Sequence, residues 1–162
     1  MTTFSIRSAT ADDCELILSF IKALAKYEEL SHEVVATPEA LRRTLFQDAS
    51  YAEVILGFED DTPVGFALFF HNYSTFLARP GLYLEDLFVS PEYRGRGYGK
   101  ALLQRLAQVA VERECGRLEW SVLDWNQPAI DFYVALGAQP MSEWTTFRLT
   151  GEALHSLGAP IP

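Results

Sequence analysis

The stretch Val89-Ser90-Pro91-Glu92-Tyr93-Arg94-Gly95-Arg96-Gly97-Tyr98-Gly99-Lys100 has the composition of an anion-holding loop. It lies between an apolar run that reads as a strand and a periodic run that reads as a helix. The first turn of a helix has unpaired backbone N–H groups and a partial positive charge, so it can hold a pyrophosphate that comes close. Gly95, Gly97 and Gly99 carry no Cβ to obstruct that approach, and Arg94, Arg96 and Lys100 add positive charge. A dinucleotide fingerprint is excluded, because its third glycine would fall on Lys100. A P-loop is excluded too, since it needs glycine where Arg94 stands and Ser or Thr where Ala101 stands. The plain alternative is a strand-to-helix turn with a solvated basic face.

Two further features bear on chemistry. Glu85 and Asp86 interrupt the apolar strand of residues 82–89, a costly place for carboxylates without partners. His32, His71 and His155 lack metal-ligand spacing and Ser121 has no triad context, so no metal and no serine nucleophile is expected.

The elements that must position these residues follow from hydrophobic period and punctuation. Phe4-Ser5-Ile6-Arg7 alternates as a strand; Thr10 caps a helix whose stripe is Leu16, Ile17, Phe20, Ile21 and Leu24. Thr37-Pro38-Glu39 starts a second helix. Residues 51–58 and 64–70 read as strands joined by a hairpin turn at 59–63, with a loop at 74–81 and a strand at 82–89. A helix over 99–113, a strand over 118–123, a short helix over 128–136 entered through Asn126, a strand over 144–149 and a C-terminal helix complete the chain. This order predicts one domain over residues 1–162: a mixed α/β sheet with helices on its faces.

Composition limits the partners. Thirteen Lys plus Arg against 22 Asp plus Glu gives a net charge of −9, which repels phosphate backbones and anionic lipid while attracting polycations. No nucleic acid and no membrane partner is expected. No apolar run nears the roughly 20 residues of a bilayer span, and the N-terminus has no signal-peptide pattern, which predicts a cytoplasmic protein. Cys14 and Cys115 read as reduced core thiols.

Arg94-Gly95-Arg96-Gly97-Tyr98-Gly99 resembles the acetyl-CoA pyrophosphate loop of GNAT acetyltransferases. Ile6-Arg7 with Ala9-Thr10, Leu24-Ala25-Lys26-Tyr27-Glu28, Tyr83-Leu84-Glu85-Asp86 and Val122-Leu123-Asp124-Trp125-Asn126-Gln127 are similar to the diamine (spermidine/spermine) and thialysine acetyltransferase branch. Phe132-Tyr133 and Leu136-Gly137-Ala138 extend the resemblance, which covers residues 4–139.

The resemblance implies acetyl-CoA as co-substrate, a small cationic amine as acceptor, a homodimer, and a V-shaped splay between two parallel strands. It implies that the backbone of Leu87, Phe88 and Val89 bonds the pantetheine arm. The pyrophosphate would lie on residues 94–100, and Asn126 would contact the cofactor. Tyr133 is expected to act as acid toward the departing thiolate, and Glu85 as base, direct or through water, or as anchor of the acceptor's charge. Tyr27, Glu28 and Asp86 are expected to line the acceptor site. The turn at 59–63 is shorter than in many diamine enzymes, and residues 140–147 depart from their C-terminal segment. An acyl-CoA-binding sensor or scaffold and a protein N-acetyltransferase are the competing readings.

Overall fold

The computed structural model describes residues 1–47 and 49–160. The chain divides into two compact units, Met1–Ser121 and Val122–Pro162.

The first unit is built on a five-stranded sheet in the order β1-β2-β3-β4-β5: β1 (Phe4–Ser8), β2 (Glu53–Glu59), β3 (Thr62–Ser74), β4 (Arg79–Val89) and β5 (Leu118–Trp120). All pairings are antiparallel except the last, β4 with β5, which is parallel. Helices cover both faces. On one, α1 (Cys14–Tyr27) and α2 (Pro38–Leu45) bury Ile17, Phe20, Leu24 and Leu45 against Val54, Leu56, Phe66 and Phe88. On the other lies α3 (Tyr98–Glu112), whose Leu102 approaches Gly57 of β2. Phe66 is fully buried at the centre and stacks on Phe20 at 5.5 Å. With both faces covered, β2 and β3 read as continuous apolar runs rather than alternating ones.

Local chemistry explains the element ends. Thr37 accepts a hydrogen bond from Ala40 N at 3.1 Å with Pro38 at the first helical position, as the sequence predicts. Thr10 opens a short 3-10 turn, Ala11–Asp13, ahead of α1; its N–H donates to Asp13 Oδ2 at 2.7 Å. The β2–β3 connection is a two-residue turn, with Asp60 at φ 51°. The hairpin arms of β3 and β4 run further than expected, replacing half of the 74–81 loop with paired strand from Asn72↔Gly81 to Ser74↔Arg79. Polar Asn72 and Pro80 mask that extension in the sequence.

The second unit contains α4 (Gln127–Ala135) and α5 (Gly151–Leu157). Gly137 follows α4 at φ 92°, the left-handed stop that the sequence predicts. The strand expected over 144–149 does not form: these residues are exposed coil. A strand needs a partner ladder, and among the described residues this unit holds no other strand. The strand expected over 118–123 likewise ends at Trp120, where its pairing with β4 ends.

Candidate active site

The pairing of β4 determines the site. Leu82, Tyr83 and Leu84 pair with Leu118, Glu119 and Trp120, and there β5 stops while β4 continues to Val89. From Glu85 to Val89 the β5-facing edge of β4 therefore has no strand against it among the described residues. Backbone N–H and C=O groups on such an edge seek partners, which suits an extended amide-bearing ligand arm. Leu87, Phe88 and Val89 lie on this segment; their other edge pairs with Ala67, Phe66 and Gly65. Where the parallel pairing ends, the Tyr83 hydroxyl and Ser121 Oγ are 2.8 Å apart, a hydrogen bond that ties the two strands at the opening.

At the same point β4 carries a bulge. Phe69 pairs with Leu84 and Leu68 with Asp86, so Glu85 is the extra residue. A bulge breaks the alternation of side chains and re-aims them. Glu85 is exposed, and Asp86 beside it is half-buried. Burial, then Glu85, then Glu28 push the Asp86 carboxyl up from 3.8 to about 6. Glu28 caps the C-terminal end of α1, and burial raises its carboxyl too. Three acids thus share one locus, and among the described residues none of them pairs with a cation. Burial, joined at Asp86 by like charge, disfavours the ionised forms of Asp86 and Glu28, so a positive charge brought to this locus is favoured.

The basic loop follows β4. Arg94 turns back: its Nε donates to the Val89 carbonyl at 2.9 Å, and its guanidinium lies over the rings of Tyr27 at 4.6 Å and Phe88 at 5.3 Å. Tyr27, the last residue of α1, is thereby joined to the loop. Gly95 and Gly97 take φ 76° and 84°, and a Cβ on either would meet nothing within 4 Å. Gly97 is the N-cap of α3 and offers no side chain to satisfy the first-turn N–H groups. Gly99 sits against Val89, 3.8 Å from a Cβ to its Cγ2. Open space, glycine backbone and an uncapped 15-residue helix together fit a pyrophosphate. Lys100 is exposed on the first turn. Arg96 is engaged differently: both carboxylate oxygens of Glu59 accept from its Nη1, at 2.8 and 2.9 Å. Sequence reasoning missed Glu59, since a turn-flanking acid carries no signal that it faces a loop 37 residues away.

In the second unit, Asn126 caps α4, its Oδ1 accepting from Ala129 N at 3.4 Å. Tyr133 stands on α4, half-buried, with its ring 5.5 Å from that of Phe132.

A sheet of this order, with a parallel pair that stops short and a glycine loop leading into the following helix, is an acyl-CoA-type acetyltransferase fold. Residues 21–138 match the Acetyltransferase (GNAT) family, and the chain belongs to it. The chain is 42% identical to the thialysine N-epsilon-acetyltransferase of Bos taurus over 97% of its own length and 98% of that protein. It is 36% identical to the L-ornithine N5-acetyltransferase NATA1 of Arabidopsis thaliana, over 94% and 86%. Among solved structures, an integron cassette protein from the mobile metagenome of V. cholerae aligns with TM-score 0.81 at 28% identity, covering 97% of this chain and 98% of that one. The chain is by class an N-acetyltransferase, and acetyl-CoA is the family's co-substrate.

Proposed function

We propose that this protein transfers the acetyl group of acetyl-CoA to a primary amine of a small cationic acceptor, of the thialysine, lysine-like or polyamine kind. The observation that carries the reading is the acid cluster of Glu28, Glu85 and Asp86 at the bulge where β5 leaves β4. An acceptor with a second ammonium restores to that cluster the charge balance it lacks. The names of the thialysine and ornithine relatives support the same acceptor class. The domain match over residues 21–138 runs across residues 121 and 122, which supports reading the two units as parts of one catalytic domain.

Acetyl-CoA supplies the thioester carbonyl that the amine attacks. An alkyl ammonium of pKa about 10.4 is only about one part in a thousand free base near neutrality, so it must first give up a proton. In our reading Glu85, exposed on the bulge, receives it directly or through water. Asp86 and Glu28 hold the acceptor's other positive charge. Backbone N–H groups of Phe88 and Val89 stabilise the negative charge that grows on the carbonyl oxygen. The new N–C bond forms as the C–S bond breaks, and the Tyr133 hydroxyl donates a proton to the leaving sulfur. Residues 94–100 hold the pyrophosphate, and Asn126 contacts the coenzyme from the start of α4.

The test is thiol release from acetyl-CoA across thialysine, ornithine, lysine, spermidine, putrescine and a lysine peptide. Turnover on a small dicationic amine, lowered about 100-fold in kcat by Tyr133→Phe, is the expected result. Turnover on the peptide alone, or on none of these despite acetyl-CoA binding, overturns the reading.

A further inference from the structure

Glu59, the last residue of β2, has one carboxylate engaged by two side chains of the basic loop. Oε1 and Oε2 accept from Arg96 Nη1 at 2.9 and 2.8 Å, and Oε2 also accepts from the Tyr98 hydroxyl. The Tyr98 hydroxyl, then the Arg96 guanidinium, hold the Glu59 carboxyl below its ordinary range. Around this node the packing is close. The Tyr98 ring stacks on Phe4 at 4.2 Å and 6°, and Phe4 pairs with Glu59 across β1 and β2. Phe4 lies close over Gly57, where an added Cβ would come 3.0 Å from its Cζ and press the ring aside. Arg96 further donates to the Glu92 carbonyl at 3.3 Å and lies over the Tyr93 ring at 5.1 Å.

The arrangement answers a physical difficulty. Gly95 and Gly97 give the loop its open surface, but two glycines at positive φ also give an unfolded-like loop many alternatives. The residues between and after them, Arg96 and Tyr98, are the ones that Glu59 holds. A guanidinium already paired with a carboxylate contributes little net charge to a bound phosphate.

We propose that Glu59 is a positioning residue for coenzyme binding. Through Arg96 and Tyr98 it sets the shape of the loop over residues 94–100. The loop's backbone N–H groups, rather than the Arg96 guanidinium, then hold the pyrophosphate. The proposal rests on reading that loop as the acetyl-CoA site.

Calorimetric titration of acetyl-CoA into the wild type, Glu59→Gln, Arg96→Met, Tyr98→Phe and the Glu59→Gln/Arg96→Met double variant tests it, with melting temperature alongside. Each of Glu59→Gln and Arg96→Met is expected to raise Kd about 10-fold, and the double variant no further than either, because both remove one interaction. Tyr98→Phe should raise Kd less. In kcat/KM, the Glu59→Gln loss should be about 5-fold smaller when S-acetylpantetheine, which lacks the pyrophosphate, replaces acetyl-CoA; a general folding defect would affect both donors alike. Unchanged or tighter binding by Glu59→Gln overturns the proposal, since it would mean that Arg96 holds phosphate and Glu59 competes for it. Additive losses in the double variant overturn it as well. If the wild type does not bind acetyl-CoA, the reading of the loop falls and the proposal with it; if the wild type binds and the variants match it, only the proposal falls.

Discussion

Arg94 donates a hydrogen bond from Nε to the backbone carbonyl of Val89 at 2.9 Å, closing the loop onto the strand from which it departs. The same guanidinium covers Tyr27 at the end of α1, so a residue we read as lining the acceptor site and the loop we read as holding the coenzyme share one side chain.

That sharing predicts cross-talk. Replacing Tyr27 by Leu removes the face on which Arg94 rests, a contact of about 0.5–1 kcal/mol. KM for acetyl-CoA should rise about 3-fold although Tyr27 is read as an acceptor-site residue, while Tyr27→Phe should leave it near the wild-type value. Initial-rate kinetics with acetyl-CoA varied at saturating amine would measure this.

Asp86 predicts an inverted stability profile. Its folded-state pKa of about 6 lies above the ordinary 3.8, so the folded protein binds the proton more tightly than the unfolded chain does. Below about pH 4 the group costs nothing, and stability falls as pH rises from about 4 to about 6. Asp86→Asn should therefore raise stability at pH 7.5 by about 2 kcal/mol, with the gain vanishing near pH 4. Urea unfolding at the two pH values checks it. Catalysis should go the other way, with KM for the amine rising in the variant, and rising in the wild type as pH drops below about 6.

Asp13 behaves oppositely. The hydrogen bond from Arg7, at 2.8 Å, pulls its carboxyl down from 3.8 to about 2. Its stabilisation is present above about pH 4 and is lost as pH falls toward 2. Asp13→Asn should cost about 1 kcal/mol at pH 7, a cost that shrinks below pH 4 and vanishes as pH falls through about 2, seen as melting curves that converge in acid.

Gly97 separates folding from binding. At φ 84° an alanine is strained by about 1 kcal/mol, yet its Cβ would touch no protein atom within 4 Å. Gly97→Ala should lower the melting temperature by a few degrees and weaken acetyl-CoA binding well beyond 10-fold, because the added methyl occupies the space read as the phosphate's.

Much of this was legible in the chain. The loop at 94–100 announces itself because glycine alternation with basic residues before a helical period has few structural uses. The carboxylates at 85 and 86 are conspicuous against an apolar strand. The bulge that makes Glu85 the unopposed residue was not legible, because register depends on β3 as much as on β4. Glu59 escaped for a related reason: its partners lie on another element, and its own neighbours, Asp60 and Asp61, make it look like one more solvated turn acid. The strand expected over residues 144–149 shows the reverse error. Thr145, Thr146 and Phe147 suit a pleated surface, but propensity without a neighbouring ladder builds none.

The parallel pairing of β4 with β5 spans three residue pairs and then stops. In evolutionary terms this is a place where greater stability and greater usefulness pull apart. Substitutions that lengthen the ladder past Leu84 would be rewarded by any selection for robustness alone, and each added rung would occupy backbone that our reading gives to the coenzyme. Stabilising this protein by engineering should therefore begin on the β1–β2–β3 side of the sheet and leave that seam short.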